Sequence, residues 1–335
     1  MTASRQLLKI LALPIDISRI LKYLADQKNF LAKNIRPILE TGMQTNDGSL
    51  DHADLDKINQ YYGLAVPAIL GEAFCSLRGK KMSVDERWAS TCQGAMTGLF
   101  DDFFDKQYLS DQSVAEMIAE KGSASTLSNE KLFNIFYRTA LKYSPSENSM
   151  LEALKAVYNA QVGSKDQKNG SLSNDELLDL TFKKGGSSVI FYRTAFLPVA
   201  TEMESTLLYN LGGLMQLAND IFDVYKDREG NIQTMITGAK HIAPIRNFLR
   251  SQLIHYFNDS YGIGYPHKNV ERFFKIISIG IFSRCFVCLD QLEANERSTD
   301  DEFIVQLYSR KQLICDMDKG VNLFRSARSH IVHIP

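Results

Sequence analysis

Two acid-rich segments each follow a long apolar run that has helical spacing. The first holds Asp101, Asp102 and Asp105 in the stretch GLFDDFFD, and the second is NDIFDVYKD over 219–227. Carboxylates at the end of an apolar run are costly to bury without a cation. Two such segments predict one shared site for Mg²⁺, which takes oxygen ligands and commonly completes its shell with substrate phosphates.

The spacing within each segment is that of one helix face. Asp101 and Asp105 are one turn apart, and Asn219, Asp223 and Asp227 form a stripe about 12 Å long. Like charges at these separations repel one another and are mildly destabilising in an ordinary helix. Solvated helix ends are the alternative interpretation, and the occurrence of two such segments in one chain favours the metal site.

Together, DDFFD and NDIFDVYKD resemble the metal motifs of the class I isoprenoid synthases, which comprise terpene cyclases, prenyl diphosphate synthases and squalene/phytoene synthases. The resemblance implies an all-α fold, a single large helical bundle around a central apolar cavity. It also implies about three Mg²⁺ ions, with Mn²⁺ as an alternative, that bind an allylic prenyl diphosphate. The metal ligands that it assigns are Asp101, Asp105, Asn219, Asp220, Asp223 and Asp227, and it gives Asp101 and Asp102 a catalytic role.

The second segment is similar to the motif of each subfamily. In terpene cyclases the pattern is N-D-x-x-S/T-x-x-x-E, which Asn219 and Asp220 fit, whereas Asp223 replaces Ser/Thr and Asp227 replaces Glu. Asn219-Asp220-x-x-Asp223 also resembles the second DDxxD of prenyl diphosphate synthases. The stretch from Gln216 to Asp227 is similar to the squalene/phytoene motif, although it lacks that motif's Arg.

A diphosphate leaving group also needs cationic partners. Lys184 lies in the sequence KKGGSS, where two glycines predict a helix break that exposes backbone N–H groups. Arg193 follows nine residues later (193 − 184). Lys226 can reach a phosphate through its long stem, and Arg310, in Tyr-Ser-Arg, resembles the Arg-Tyr pair of cyclases with order and spacing changed. Each of the four has an ordinary structural interpretation, as a basic turn or a surface side chain.

The resemblance leaves three functions open. Prenyl-elongating enzymes hold a second diphosphate with a Gly-Lys-Arg motif and an Arg-Arg pair beyond the first acidic motif, whereas here Lys106-Gln107-Tyr108 follows it. Ionisation and cyclisation of one prenyl diphosphate, with release of diphosphate, is therefore the preferred activity. The alternatives are a prenyltransferase that couples two prenyl diphosphates, by elongation or head-to-head condensation, and a non-enzymatic helical interaction protein.

The composition favours a helical protein that forms a single domain. Only 8 Pro and 20 Gly occur in 335 residues, and no linker is biased enough to divide the chain, so we predict a single α domain over 1–335. The net charge of −1 gives no basic field for nucleic acid. No secretory signal or transmembrane segment is evident, so we expect a cytoplasmic protein, with a homodimer as one assembly. Hydrophobic periodicity predicts helices over 4–40, 53–77, 84–106, 111–121, 129–142, 147–163, 174–183, 187–228, 241–261, 267–294 and 300–328.

Overall fold

The computed structural model describes residues 3–105, 109–119 and 126–333, with side chains from residue 9 onward except those of Asp105 and Asn169. Throughout these ranges the chain forms helices and turns, and none of the described residues is in a β-strand. The predicted all-α class is confirmed. The isoprenoid-synthase architecture and its central cavity stay predictions. None of the described helices is both long enough and apolar enough to cross a membrane.

Several consecutive helices are joined directly by π-helical turns. These turns are Leu31–Ile35, Lys57–Tyr61, Val66–Gly71 and Ser278–Phe282, and 3₁₀ turns lie at Ser164–Asn169, Ser260–Gly262 and Val305–Leu307. The α-helices are α1 (Ala3–Phe30), α2 (Arg36–Gln44), α3 (His52–Asp56), α4 (Tyr62–Ala65), α5 (Glu72–Arg78), α6 (Val84–Asp105), α7 (Asp111–Ala119), α8 (Ser128–Tyr143), α9 (Glu147–Gly163), α10 (Asn174–Arg193), α11 (Glu202–Phe222), α12 (Val224–Glu229), α13 (Ala243–Asp259), α14 (His267–Ile277), α15 (Ser283–Glu296), α16 (Arg310–Leu313) and α17 (Gly320–His333).

The chain divides into two compact units. The first unit comprises Met1–Ile17, Gly163–Gly186 and Glu202–Pro335, and the second comprises Ser18–Val162 and Ser187–Thr201. The single domain over 1–335 stays a prediction.

Helix α6 is the central element of the second unit. It begins at a capping box, in which Ser83 N donates to Glu86 Oε2 at 2.9 Å and Glu86 N donates to Ser83 Oγ at 3.2 Å. Its apolar face packs on α8 through an aromatic cluster that includes the stacked rings of Phe100 and Phe133. The opposite face carries Gly94, where an added Cβ would lie 2.5 Å from the carbonyl oxygen of Tyr62. This close approach holds the chain around residues 57–62 against the last turns of α6.

Helix α11 has the corresponding role in the first unit, where it packs against α13 and α15. Its contact with α10 is glycine-mediated, because a Cβ on Gly185 would lie 2.0 Å from the carbonyl oxygen of Gly212. Helix α10 continues through Gly185 and Gly186 without interruption. The predicted helix break at Lys184 is therefore wrong, since these glycines serve close packing of two helices and not a turn.

Two further helix predictions are wrong in part. The single helix predicted over 187–228 is divided, because α10 ends at Arg193 and α11 begins only at Glu202, after a cis peptide bond between Leu197 and Pro198. The helix predicted over 300–328 is mostly turns and short helices up to Gly320, where α17 begins. The side-chain pattern resembled a helix in both regions, but the backbone turns there.

Candidate metal-binding site

The second acidic segment lies in the first unit, at the junction of α11 and α12. Asp223 separates the two helices and has φ −91° and ψ 9°. The helical hydrogen bonds nevertheless continue across it, because Asp223 N donates to Asn219 O and Asp227 N donates to Asp223 O, each at 2.8 Å. Asn219, Asp223 and Asp227 therefore keep the one-turn spacing predicted from sequence, although one helix ends and the next begins between them.

The side chains of this junction form short polar contacts. Gln216 Nε2 donates to Asp220 Oδ1 at 2.8 Å, and Asn219 Nδ2 lies 3.3 Å from Asp223 Oδ2. Asp220 is only 4% exposed and Asp227 only 8% exposed. Sequence reasoning put Asn219 on the same stripe as Asp223 and Asp227. Asp220, a ligand that the resemblance assigned, follows Gln216 by one helical turn and accepts its hydrogen bond.

Burial raises the pKa of all three carboxyl groups, and repulsion from neighbouring carboxylates adds to the rise at Asp220 and Asp227. The pKa of Asp220 rises to about 6, chiefly by desolvation, and that of Asp223 is raised for the same reason. Asp227 has a pKa of about 7, because desolvation is reinforced by the charges of Asp220 and Asp223. Since like charges disfavour ionisation at short range, the three acids form one electrostatic cluster, which we call the α11–α12 acid cluster.

Two of the predicted lysines act on this cluster. The charge of Lys184, on α10, lowers the pKa of both Asp220 and Asp227. The charge of Lys226 lowers the pKa of Asp223 and Asp227, although its own side chain is exposed. Lys184 thus reaches the cluster from an unbroken helix and not from the turn that the sequence predicted.

Arginines converge on the aromatic ring of Tyr225, next to the cluster. The guanidinium carbon of Arg228 lies 4.9 Å from the ring centre and that of Arg310 lies 5.8 Å from it. Arg228 also donates to the carbonyl oxygen of Tyr308, which draws the start of α16 towards α12. The predicted residue Arg310 is therefore close to the acid cluster in space, and Arg228 was missed although it follows Tyr225 by three residues, the spacing of one helix face.

Arg193 belongs to the second unit and has a different environment. Its side chain is buried and donates to the carbonyl oxygens of Phe196, at 2.7 Å, and Pro198, at 2.8 Å. These bonds hold the turn that follows α10, because both accepting carbonyls belong to residues beyond the end of the helix. Its predicted contact with a diphosphate stays a prediction, and the geometry supports a structural role.

The first acidic segment ends α6 in the second unit. Tyr62 Oη donates to Asp101 Oδ2 at 3.0 Å, and Lys57 forms an ion pair with the buried Asp102. The side chain of Asp105 lies outside the described residues. Sequence reasoning missed Tyr62 and Lys57, because only the close packing of α6 on residues 57–62 brings them to the acids.

The donor set at the α11–α12 junction suits a hard divalent cation. Carboxylate and amide oxygens are the ligands that Mg²⁺ prefers, and a cation would remove the repulsion that raises the pKa of Asp227. Among the described side chains, no three His, Cys, Asp or Glu residues are grouped so that they alone could hold a metal ion. A Mg²⁺ site here therefore needs other oxygens, from the Asn219 amide, water or a phosphate.

Comparison of the chain with protein-family models, with characterised proteins and with solved structures gave no match.

Proposed function

We propose that this protein is a Mg²⁺-dependent enzyme that ionises an allylic prenyl diphosphate and cyclises or rearranges the resulting carbocation. The observation that carries the proposal is the α11–α12 acid cluster, in which the buried Asp220 and Asp227 and the half-buried Asp223 have raised pKa values beside two lysines. Without a bound cation, such a cluster lowers the stability of the folded protein, because buried like charges are costly. A bound cation offsets that cost.

Each side chain has a role in this reaction. In the first unit, Asn219, Asp223 and Asp227 supply oxygen ligands, and the resemblance assigns further ligands to Asp101 and Asp105 of the first motif. Bound Mg²⁺ withdraws charge from the diphosphate oxygens and so makes diphosphate a better leaving group. The ammonium groups of Lys184 and Lys226 and the guanidinium of Arg310 neutralise the diphosphate as it departs.

Binding is tested by thermal unfolding with Mg²⁺ and inorganic diphosphate. A ligand that binds only the folded state adds about 3 kcal/mol at roughly a hundredfold excess over its Kd. We expect the wild type to be stabilised and Asp227→Asn to lose most of this effect. The matched control is Asp259→Asn, since Asp259 is an exposed acid of the same unit that lies outside the cluster.

Catalysis is tested with geranyl, farnesyl and geranylgeranyl diphosphates in the presence of Mg²⁺. We expect release of diphosphate and formation of hydrocarbon or alcohol products from at least one substrate, and loss of turnover by orders of magnitude in Asp223→Ala. No release from any substrate would reject the enzyme. An unchanged unfolding transition with Mg²⁺ and diphosphate would favour a helical interaction protein instead.

The resemblance assigns one diphosphate to both acidic motifs. A double-mutant cycle between Asp101→Asn and Asp227→Asn measures whether their contributions to Mg²⁺-diphosphate binding are coupled. Additive effects would separate the two motifs and confine binding to the first unit.

A second candidate is a prenyltransferase that couples two prenyl diphosphates. The environment of Asp220 favours it, because this buried carboxyl lies close enough to Asp223 for that charge to add to the rise of its pKa, and both residues would be ligands in the second DDxxD of prenyl diphosphate synthases. In that case Asp220→Ala abolishes turnover as completely as Asp223→Ala. The discriminating assay supplies isopentenyl diphosphate with an allylic primer, or farnesyl diphosphate alone, and looks for an elongated diphosphate or a C30 hydrocarbon.

A further inference from the structure

Helix α17 buries uncharged polar side chains and exposes large apolar ones. Phe324 is 73% exposed, which is unusual for a large aromatic side chain in a folded protein. The buried residues of the helix include Asn322, Ser326, Ser329 and His330, and the exposed ones include Val321, Leu323, Phe324 and Val332.

Hydrogen bonds explain why the face of α17 that carries Asn322, Ser326 and His330 is the buried one. Ser326 Oγ lies 2.8 Å from Ser283 Oγ at the start of α15, and His330 Nδ1 lies 2.5 Å from Ser278 Oγ in the preceding π turn. Asn322 Nδ2 donates to the carbonyl oxygen of Asp316 at 2.7 Å. The small polar face therefore fixes α17 on the first unit, while Val321, Leu323 and Phe324 stay more than half exposed.

The part of α1 in the same unit has a similar exposed face. Ile10, Leu11 and Ile15 are all at least half exposed, with Leu11 at 66%. The acid nearest to them, Asp16, is buried and lies 3.7 Å from Lys275 Nζ. The only negative charge on this stretch of α1 is thus directed inward.

Helices α1 and α17 both contact the same stretch of chain at the end of α14. Asp16 on α1 lies 3.7 Å from Lys275 Nζ, and His330 on α17 lies 2.5 Å from the hydroxyl of Ser278, which is three residues further on. We call the exposed side chains of α1 up to Ile17 and those of α17 the terminal surface. Of the 18 large apolar side chains that are exposed among the described residues, eight belong to it.

The charge of the terminal surface has one sign. Helix α17 contains the exposed Arg325 and Arg328 and no Asp or Glu, and described residues 9–15 contain Lys9 and no acid. A two-fold contact between copies would place this patch against itself. Arg325 and Arg328 would then face arginines across an apolar interface without a carboxylate in the patch, which is unfavourable.

We propose that the terminal surface docks the protein on an anionic lipid bilayer. An amphipathic helix with large apolar residues and a basic margin inserts its apolar face into the headgroup region. Each basic side chain adds attraction to acidic lipids within a Debye length of the surface. Phe324, Leu323 and Leu11 enter the interface, and Arg325 and Arg328 bind lipid phosphates.

The test is flotation of the full chain with vesicles, without Mg²⁺ or prenyl substrate. Vesicles of phosphatidylcholine with about 30% phosphatidylserine should bind the protein, whereas binding to pure phosphatidylcholine should be at least about tenfold weaker. The variant Leu323→Ser/Phe324→Ser should bind the anionic vesicles at least about tenfold less, because two large apolar side chains no longer insert. Arg325→Glu/Arg328→Glu should lose the preference for anionic vesicles.

The matched control is Ile135→Ser, since Ile135 is an apolar side chain of α8 in the second unit that is 45% exposed. This variant should bind vesicles like the wild type. All variants change exposed positions, and their circular dichroism and unfolding transitions are compared with the wild type. Three results would overturn the proposal: no flotation of the wild type, undiminished flotation of Leu323→Ser/Phe324→Ser, or a wild-type dimer in light scattering that this double variant dissociates.

Discussion

The charge on Asp227 should make the apo protein less stable at alkaline pH than at acidic pH. Its carboxyl has a pKa of about 7 in the folded chain, against 3.8 for the ordinary group. Between these two values the folded state holds more protons than the unfolded state, so the free energy of unfolding falls as pH rises. The contribution is fully present below pH 3.8 and is lost as pH rises through about 7.

The size of the effect follows from the shift. A difference of about 3 pKa units, at about 1.4 kcal/mol per unit, corresponds to about 4 kcal/mol. Asp227→Asn retains the shape of the side chain and removes the charge. It should therefore raise the free energy of unfolding by about 2–4 kcal/mol at pH 8 and leave it nearly unchanged at pH 4.

The measurement is urea unfolding with a chelator at a series of pH values for the wild type, Asp227→Asn and the exposed control Asp259→Asn. The control should follow the wild type at every pH. Addition of Mg²⁺ and diphosphate should reverse the order at pH 8, because the ions stabilise only the chain that keeps the carboxylate. If Asp227→Asn is less stable than the wild type at pH 8 without Mg²⁺, or if both have the same pH dependence, the cluster is not electrostatically strained.

Three other perturbations test the packing and charge pairing described above. Burial lowers the pKa of His330 to about 4 from 6.5, so the unfolded chain takes up the proton at a higher pH than the folded chain does. About 3 kcal/mol of stability should therefore be lost as pH falls from 6.5 to 4. In urea unfolding, His330→Gln should reduce this dependence of stability on pH. Gly185→Ala should destabilise the protein by about 3 kcal/mol or more in the same assay, because its Cβ would overlap the backbone of α11, whereas Gly163→Ala, with only ordinary contacts, should be neutral or mildly stabilising. Lys57→Met removes the ammonium partner of the buried Asp102 and should lower the free energy of unfolding by about 3 kcal/mol. The double variant Lys57→Met/Asp102→Asn should regain most of this stability. Equal stabilities of the single and double variants would contradict the ion pair.

Local pattern was sufficient for most of the helices. The predicted ranges 84–106, 129–142 and 147–163 correspond to α6, α8 and α9 within one or two residues at each described end. Apolar spacing and caps such as the Ser83–Glu86 box are properties of neighbouring residues, so the sequence alone determines them. The acid stripe of Asp223 and Asp227 was identified for the same reason.

Only the tertiary structure decided what the glycines and the distant side chains do. From sequence alone, Gly185 predicts a helix break, because glycine favours turns. In the structure its missing Cβ instead allows close contact with α11, a helix more than 20 residues away in the chain. Lys57 and Arg310 likewise reach Asp102 and Tyr225 through contacts across 45 residues (102 − 57) and 85 residues (310 − 225). The exposed apolar face of α17 is equally invisible in sequence, where hydrophobic periodicity predicts the buried side. There, hydrogen bonds from small polar residues to the neighbouring helix outweighed the ordinary preference for apolar burial.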